Sequence, residues 1–174
     1  LGKAYSFEVD VIDAQKVTEL KISSTRIREA LANGAISEAN SLLGYAFELE
    51  GIVVHGEKRG RQLDYPTANL LLQDGKKLIP KPGVYWGVSN INNQEYCVMV
   101  NIGHRPTYDN GALKVEVHIL DWEGDLYGSN LHVSFMERIR DEQPFDNSNA
   151  LKSQLQADEQ LCRTRYAQVL GSSQ

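Results

Sequence analysis

The spacing of apolar and polar residues changes twice along this chain, and the changes divide it into three stretches. In the first, Ile27, Ala30 and Leu31 recur at helical spacing behind Ser23-Ser24-Thr25, and Gly34 is a stop signal. "AISEANSLLG" repeats the pattern as a second short helix. Two such helices carry too few apolar residues to bury a core alone. From Phe47 the period shortens to that of strands, in "FELEGIVVH", "GVYWGVSNI", "EYCVMVNIG", "ALKVEVHIL" and "NLHVSF", and "INNQE" reads as a hairpin turn. Short strands punctuated by Gly, Asn, Asp and Pro predict a small antiparallel barrel rather than a parallel sheet with crossover helices. From about Asn147 the helical period returns. Leu151, Leu155, Leu161 and Cys162 form a stripe expected to pack on the barrel, and Asp158 falls on that stripe, so it is expected to be hydrogen-bonded.

One segment, "GRQLDYPTANLLL", breaks the pattern just where a hydrophobic strand begins. Pro66 opposes helix and biases Tyr65 toward extended backbone. In an extended segment Thr67 and Asn69, two residues apart, leave the chain on one face. They lie close to "HGEKRGR", where Gly56 and Gly60 alternate with Lys58, Arg59 and Arg61. The loop is not a Walker A sequence. It is either a solvated hairpin loop or a place where backbone and cations approach phosphate. The pair Thr67 and Asn69 either satisfies local backbone groups or holds a hard cation such as Mg²⁺, which takes one or two protein oxygens and completes its shell with water and phosphate. In "KVEVHIL" the apolar Val115, Val117 and Ile119 face the core, and Glu116 looks the other way. Glu116 is a solvated strand carboxylate or a general base on a rigid strand. His55, His104, His118 and His132 show no metal-ligand spacing, and His132 reads as structural.

Composition narrows the partners. The 174 residues suit one ordinary domain, or one domain with a fragment of another, and the formal net charge of -5 opposes a broad basic face for nucleic acid. Cys97 and Cys162 stand far apart without a CxxC, which indicates neither a disulfide framework nor a zinc site. No run reaches the length of a membrane span, and "LGKAYSFEVD" lacks a signal-peptide pattern, so a cytoplasmic protein without membrane or nucleic-acid partners is expected.

Taken together, "GIVVHGEKRGRQLDYPTANL", "PKPGVYWGV", "VNIGHRPTY", "VEVHILDWEGDLYG" and "ERIRDEQPFDNSNALKSQLQAD" resemble, in order, the riboflavin kinase module that in bacteria is commonly the C-terminal half of a bifunctional FAD synthetase. The resemblance runs from about Phe47 to Tyr166. It implies a mainly β fold, a six-stranded antiparallel Greek-key barrel with a C-terminal helix, and transfer of the ATP γ-phosphate to the riboflavin 5′-hydroxyl to give FMN and ADP. By the same resemblance Thr67 and Asn69 hold Mg²⁺ with the nucleotide phosphates, and Glu116 is the base. Gly56 and Arg61 fall in the loop over ATP, Ile119, Asp121 and Tyr127 line the nucleotide pocket, and Arg140, Gln143 and Phe145 hold the flavin. Asp64 departs from the family, which usually has Gly there. "KISSTRIREALANGAISEANSLLG" looks like the end of the family's adenylyltransferase domain, whose HxGH-type motif and first strands are absent. The expected division is therefore 1–44, the remnant of that domain with a linker, and 45–174, the kinase domain, in a piece of a longer protein. The rival reading from another class is a non-catalytic flavin-binding barrel.

Overall fold

The computed structural model describes residues 23–56, 60, 63–72, 77–104 and 113–171. Six strands, β1 (Phe47–Val54), β2 (Ala68–Leu72), β3 (Gly83–Ile91), β4 (Gln94–His104), β5 (Leu113–Ile119) and β6 (Asn130–Arg140), close into an antiparallel barrel in the order β1-β2-β5-β4-β3-β6. β3, β4 and β5 follow one another as neighbours and β6 returns beside β3, the Greek-key connection. At "INNQE" Ile91 pairs with Gln94, and Asn92 and Asn93 both take positive φ, 52° and 64°. That is the backbone a two-residue hairpin of matching twist requires, and Asn tolerates it.

Alternation sets the inside of the barrel. Leu49, Val53, Val98, Val100, Val115, Val117, Val133 and Phe135 are buried in one cluster, each such side chain contributing roughly 1.5–3 kcal/mol by leaving water. β3 departs from alternation, being buried on both faces along most of its length. The reason is α3 (Ser148–Gly171): Trp86 and Val88 of β3 and Cys97 and Met99 of β4 form a second cluster with Cys162 of that helix.

The stripe on α3 departs from expectation, most clearly at Leu161. Leu155, Asp158, Cys162 and Tyr166 make the inward line, whereas Leu161 is 38% exposed. Steps of three and four residues from Leu155 reach Asp158 and Cys162, and Leu161, about 100° round from Cys162, is carried off that line. Burial pushes the Cys97 thiol up to about 12 and raises that of Cys162, which disfavours the thiolate at both.

The leading helices, α1 (Ser24–Asn33) and α2 (Ile36–Leu43), form as their caps require. Ser23 Oγ accepts from Arg26 N at 3.2 Å, and Gly34 ends α1 with φ 75°. Ala30, Leu31, Ile36 and Ala39 enter the same apolar cluster as the barrel interior. One side chain fastens the join: Asn40 donates to Phe135 O and accepts from Phe47 N, both at 2.8 Å. The helices thus pack on the barrel.

Candidate active site

β2 and β5 pair over Ala68↔Val117, Asn69↔Glu116 and Leu70↔Val115. The pleat puts Leu70, Val115 and Val117 inside and leaves Asn69 and Glu116 side by side on the outer face. Glu116 is also the cross-strand partner of Asn101 on β4. Its Oε1 lies 3.4 Å from Thr67 Oγ1, which donates to it, and 2.9 Å from Lys114 Nζ. Thr67 thus meets Glu116 through its hydroxyl, and Asn69 adjoins Glu116 by strand register.

Two chambers flank this place. The larger, about 1070 Å³, lies between the ends of β2 and β5, the 121–127 turn and α3; Ile119, Asp121 and Tyr127 line it. The smaller, about 400 Å³, lies over β4, β5 and the segment after β6, and its lining includes Glu116, Lys114, Arg140, Gln143 and Phe145. Tyr65, Thr67 and His118 line both. The chambers consequently share a wall that includes Thr67, a candidate metal ligand, while Glu116, which Thr67 contacts, lines the smaller chamber.

The residues present fit a hard divalent cation. Asn69 is 6% exposed, and among the described residues its Oδ1 has no hydrogen-bond partner. A buried acceptor left in that state costs about 1–3 kcal/mol, which a bound cation would offset. The Thr67 hydroxyl and Glu116 carboxylate beside it are oxygen donors, the type Mg²⁺ or Ca²⁺ prefers. No group of three or more His, Cys, Asp or Glu is arranged for a metal among the described residues. A cation here would depend on water and substrate oxygens for the rest of its shell.

Gly56 presses on this niche. A Cβ at that position would stand 2.0 Å from Asn69 Nδ2, so only glycine lets the loop lie against the amide. Arg61, Lys58 and Arg59 lie outside the described residues.

In the larger chamber, Asp121 has φ 57° and accepts from Arg163 at 2.5 and 2.8 Å. The guanidinium holds its carboxyl below the usual carboxylate range. Arg163 also donates to Glu159, which accepts from Tyr65 Oη at 2.6 Å. The Tyr127 ring lies 3.9 Å from that of His55. Asp64 takes positive φ, 65°, a backbone that glycine adopts readily, and pairs with Lys152 at 2.6 Å.

In the smaller chamber, Asp158 is 2% exposed and bonded as its place on the stripe implied. It accepts from Arg140 Nε and Nη2 at 3.0 and 2.7 Å and from Gln154 at 2.8 Å. Gln143 donates to Gln154 at 3.3 Å, and the Arg140 guanidinium carbon is 5.9 Å from the Phe145 ring centre. One connected chain thus stiffens the wall that carries the three residues expected to hold the flavin.

Sequence reasoning missed Lys114, Tyr65 and His118 as parts of the site. The lack of metal spacing among the histidines says nothing of His118, which the alternation that turns Glu116 outward also turns outward two residues later.

The closed antiparallel barrel therefore carries two chambers that share Tyr65, Thr67 and His118. Residues 43–166 match the flavokinase family model, described as riboflavin kinase. A bifunctional riboflavin kinase/FMN adenylyltransferase of Listeria monocytogenes is 40% identical over 164 residues, covering 94% of this chain and 52% of the relative. The enzyme of the same description from Escherichia coli K12 is 39% identical over 165 residues, covering 93% and 51%. A crystal structure described as a macrolide-efflux protein from Streptococcus pneumoniae is 42% identical with a TM-score of 0.79, covering 85% of this chain and 48% of that one. The chain belongs to the riboflavin kinase family, and it spans about half the length of the curated relatives it matches. Among the described residues no helix is long and apolar enough to cross a membrane.

Proposed function

We propose that this chain transfers the γ-phosphate of ATP to the 5′-hydroxyl of riboflavin, yielding FMN and ADP, with the larger chamber taking the nucleotide and the smaller the flavin. The observation that carries the reading is the shared wall: Thr67 borders both chambers and contacts the carboxylate that borders the flavin side. In-line transfer needs the two reacting oxygens brought together and the phosphoryl charge neutralised. Thr67 and Asn69 are the residues that would hold the divalent cation, read here as Mg²⁺, which would draw charge from the phosphate oxygens. Glu116 accepts the hydroxyl proton, and Lys114 Nζ, 2.9 Å from Oε1, fixes the carboxylate's position. Asp121 and Tyr127 border the nucleotide, and Arg140, Gln143 and Phe145 form the flavin wall. In the same reading the setting is cytoplasmic, residues 45–174 are the kinase part, and residues 1–44 go with an adenylyltransferase part like the one named in the bifunctional relatives.

A non-catalytic flavin barrel would use the smaller chamber alone. It gives no reason for a buried Asn69 Oδ1 without a partner among the described residues, or for the second, larger chamber. Incubation with riboflavin, ATP and Mg²⁺, followed by chromatography, decides between them. The kinase reading expects FMN and ADP in equal amounts, abolished by a chelator. Bound riboflavin that is never converted, at high enzyme concentration, would support the carrier.

A further inference from the structure

The β2/β5 ladder ends one residue too early for the site it serves. Its last paired residue on β2 is Ala68, opposite Val117. Thr67 lies beyond the paired register, and Pro66 before it has no N–H to donate. The hydrogen bond from Thr67 Oγ1 to Glu116, at 3.4 Å, is too long to fix the hydroxyl, since O–H···O bonds favour roughly 2.7–2.8 Å.

A side chain supplies the missing rung. His118, the residue after Val117 on β5, brings its Nδ1 to 2.8 Å from Pro66 O. A carbonyl only accepts, so Nδ1 carries the proton and the tautomer is set. The ring packs against Tyr65, with centres 5.0 Å apart, and Tyr65 is tied to Glu159 on α3. Tyr65, Pro66 and Thr67 are thereby held by side-chain contacts on both sides where backbone pairing has stopped. Burial of the imidazole keeps its affinity for a second proton below the ordinary value.

We propose that His118 is a positioning residue: its Nδ1–H, by holding Pro66 O, places the Thr67 hydroxyl in the cation niche at the wall between the chambers. The inference rests on the kinase reading and adds to it a residue that touches neither the reacting atoms nor the cation. Partners that orient a ligand residue in this way typically change metal affinity by 10–100-fold when removed.

The test uses three variants. Asn carries a donor close to where Nδ1–H sits, Gln carries it farther out, and Phe keeps a ring without a donor. Calorimetric titration of ADP at stepped Mg²⁺ concentrations gives the Mg²⁺ requirement for nucleotide binding, and FMN formation is followed alongside. The expectation is a requirement raised about 10-fold or more in His118→Phe and His118→Gln, largely restored in His118→Asn, with unchanged melting temperature in the Asn and Gln proteins. If His118→Phe does not fold, the contrast between Asn and Gln decides. A wild-type Mg²⁺ requirement in His118→Gln, or equal impairment of Asn and Gln, would overturn the proposal. Failure of the wild-type chain to make FMN would instead defeat the kinase reading itself.

Discussion

Asn69 and Glu116 face each other across the β2/β5 ladder, yet Asn69 Oδ1 is buried and has no hydrogen-bond donor among the described residues. An arrangement that leaves an acceptor empty beside a carboxylate disfavours the protein alone and favours the protein with a cation. Asn69→Ala is therefore expected to raise the Mg²⁺ concentration needed for ATP binding while leaving riboflavin binding near normal. Metal titrations of nucleotide and flavin binding check this, and an unchanged Mg²⁺ requirement would remove Asn69 from the cation site.

Gly56→Ala should act on the same niche from the other side. The added methyl would stand 2.0 Å from Asn69 Nδ2 and 2.8 Å from Oδ1, so the amide must move or the loop must lift. We expect a loss of metal-dependent nucleotide affinity of about 10–100-fold, the size seen when the support of a ligand residue is disturbed. Calorimetry at fixed Mg²⁺ reads it, and wild-type affinity would mean that the loop is free to yield without carrying Asn69.

Asp158→Ala tests the flavin wall. Asp158 and Arg140 have side chains 2% and 19% exposed, and removing one partner of such a pair strands the other charge, at a cost of about 3–5 kcal/mol. Chemical denaturation should show a loss of that order, together with weaker riboflavin binding because Arg140 backs Phe145. Loss of stability with unaltered flavin affinity would separate this pair from the binding site.

The Arg163 bridge predicts a pH dependence. Asp121 is held below its ordinary value by the Arg163 guanidinium, so its contribution to stability is present above about pH 4 and is lost as pH falls through the depressed native value. Arg163→Met removes that partner. Its melting temperature should lie below wild type at neutral pH, with the gap closing as the pH falls below about 4. A gap that stays constant on acidification would mean that the bridge does not set the Asp121 ionisation.

Much of this was legible in the sequence because the informative residues act through local rules. Pro66 and the alternation of "KVEVHIL" fixed which way Thr67, Asn69 and Glu116 would face. Paired Asn residues marked the β3/β4 hairpin, and Ser23 and Gly34 marked the ends of α1. The rest depended on contacts distant in sequence. Leu161 went astray because an apolar stripe read from spacing does not show which side a helix presents to a sheet. Asp64 keeps its left-handed backbone with Lys152 as its partner, 88 residues away. His118 escaped notice because its role comes from where a ladder stops, which depends on β2 and β5 being neighbours.

The most direct measurement of the central claim is a single-turnover experiment with γ-labelled ATP and riboflavin, comparing wild type with Glu116→Gln. The expected result is label appearing in FMN from the wild-type protein, and a rate lower by roughly 10²–10⁴ in Glu116→Gln with both substrates still bound, the loss typical of removing a general base. Label that never enters FMN, or a Glu116→Gln protein that transfers it at the wild-type rate, would contradict the account.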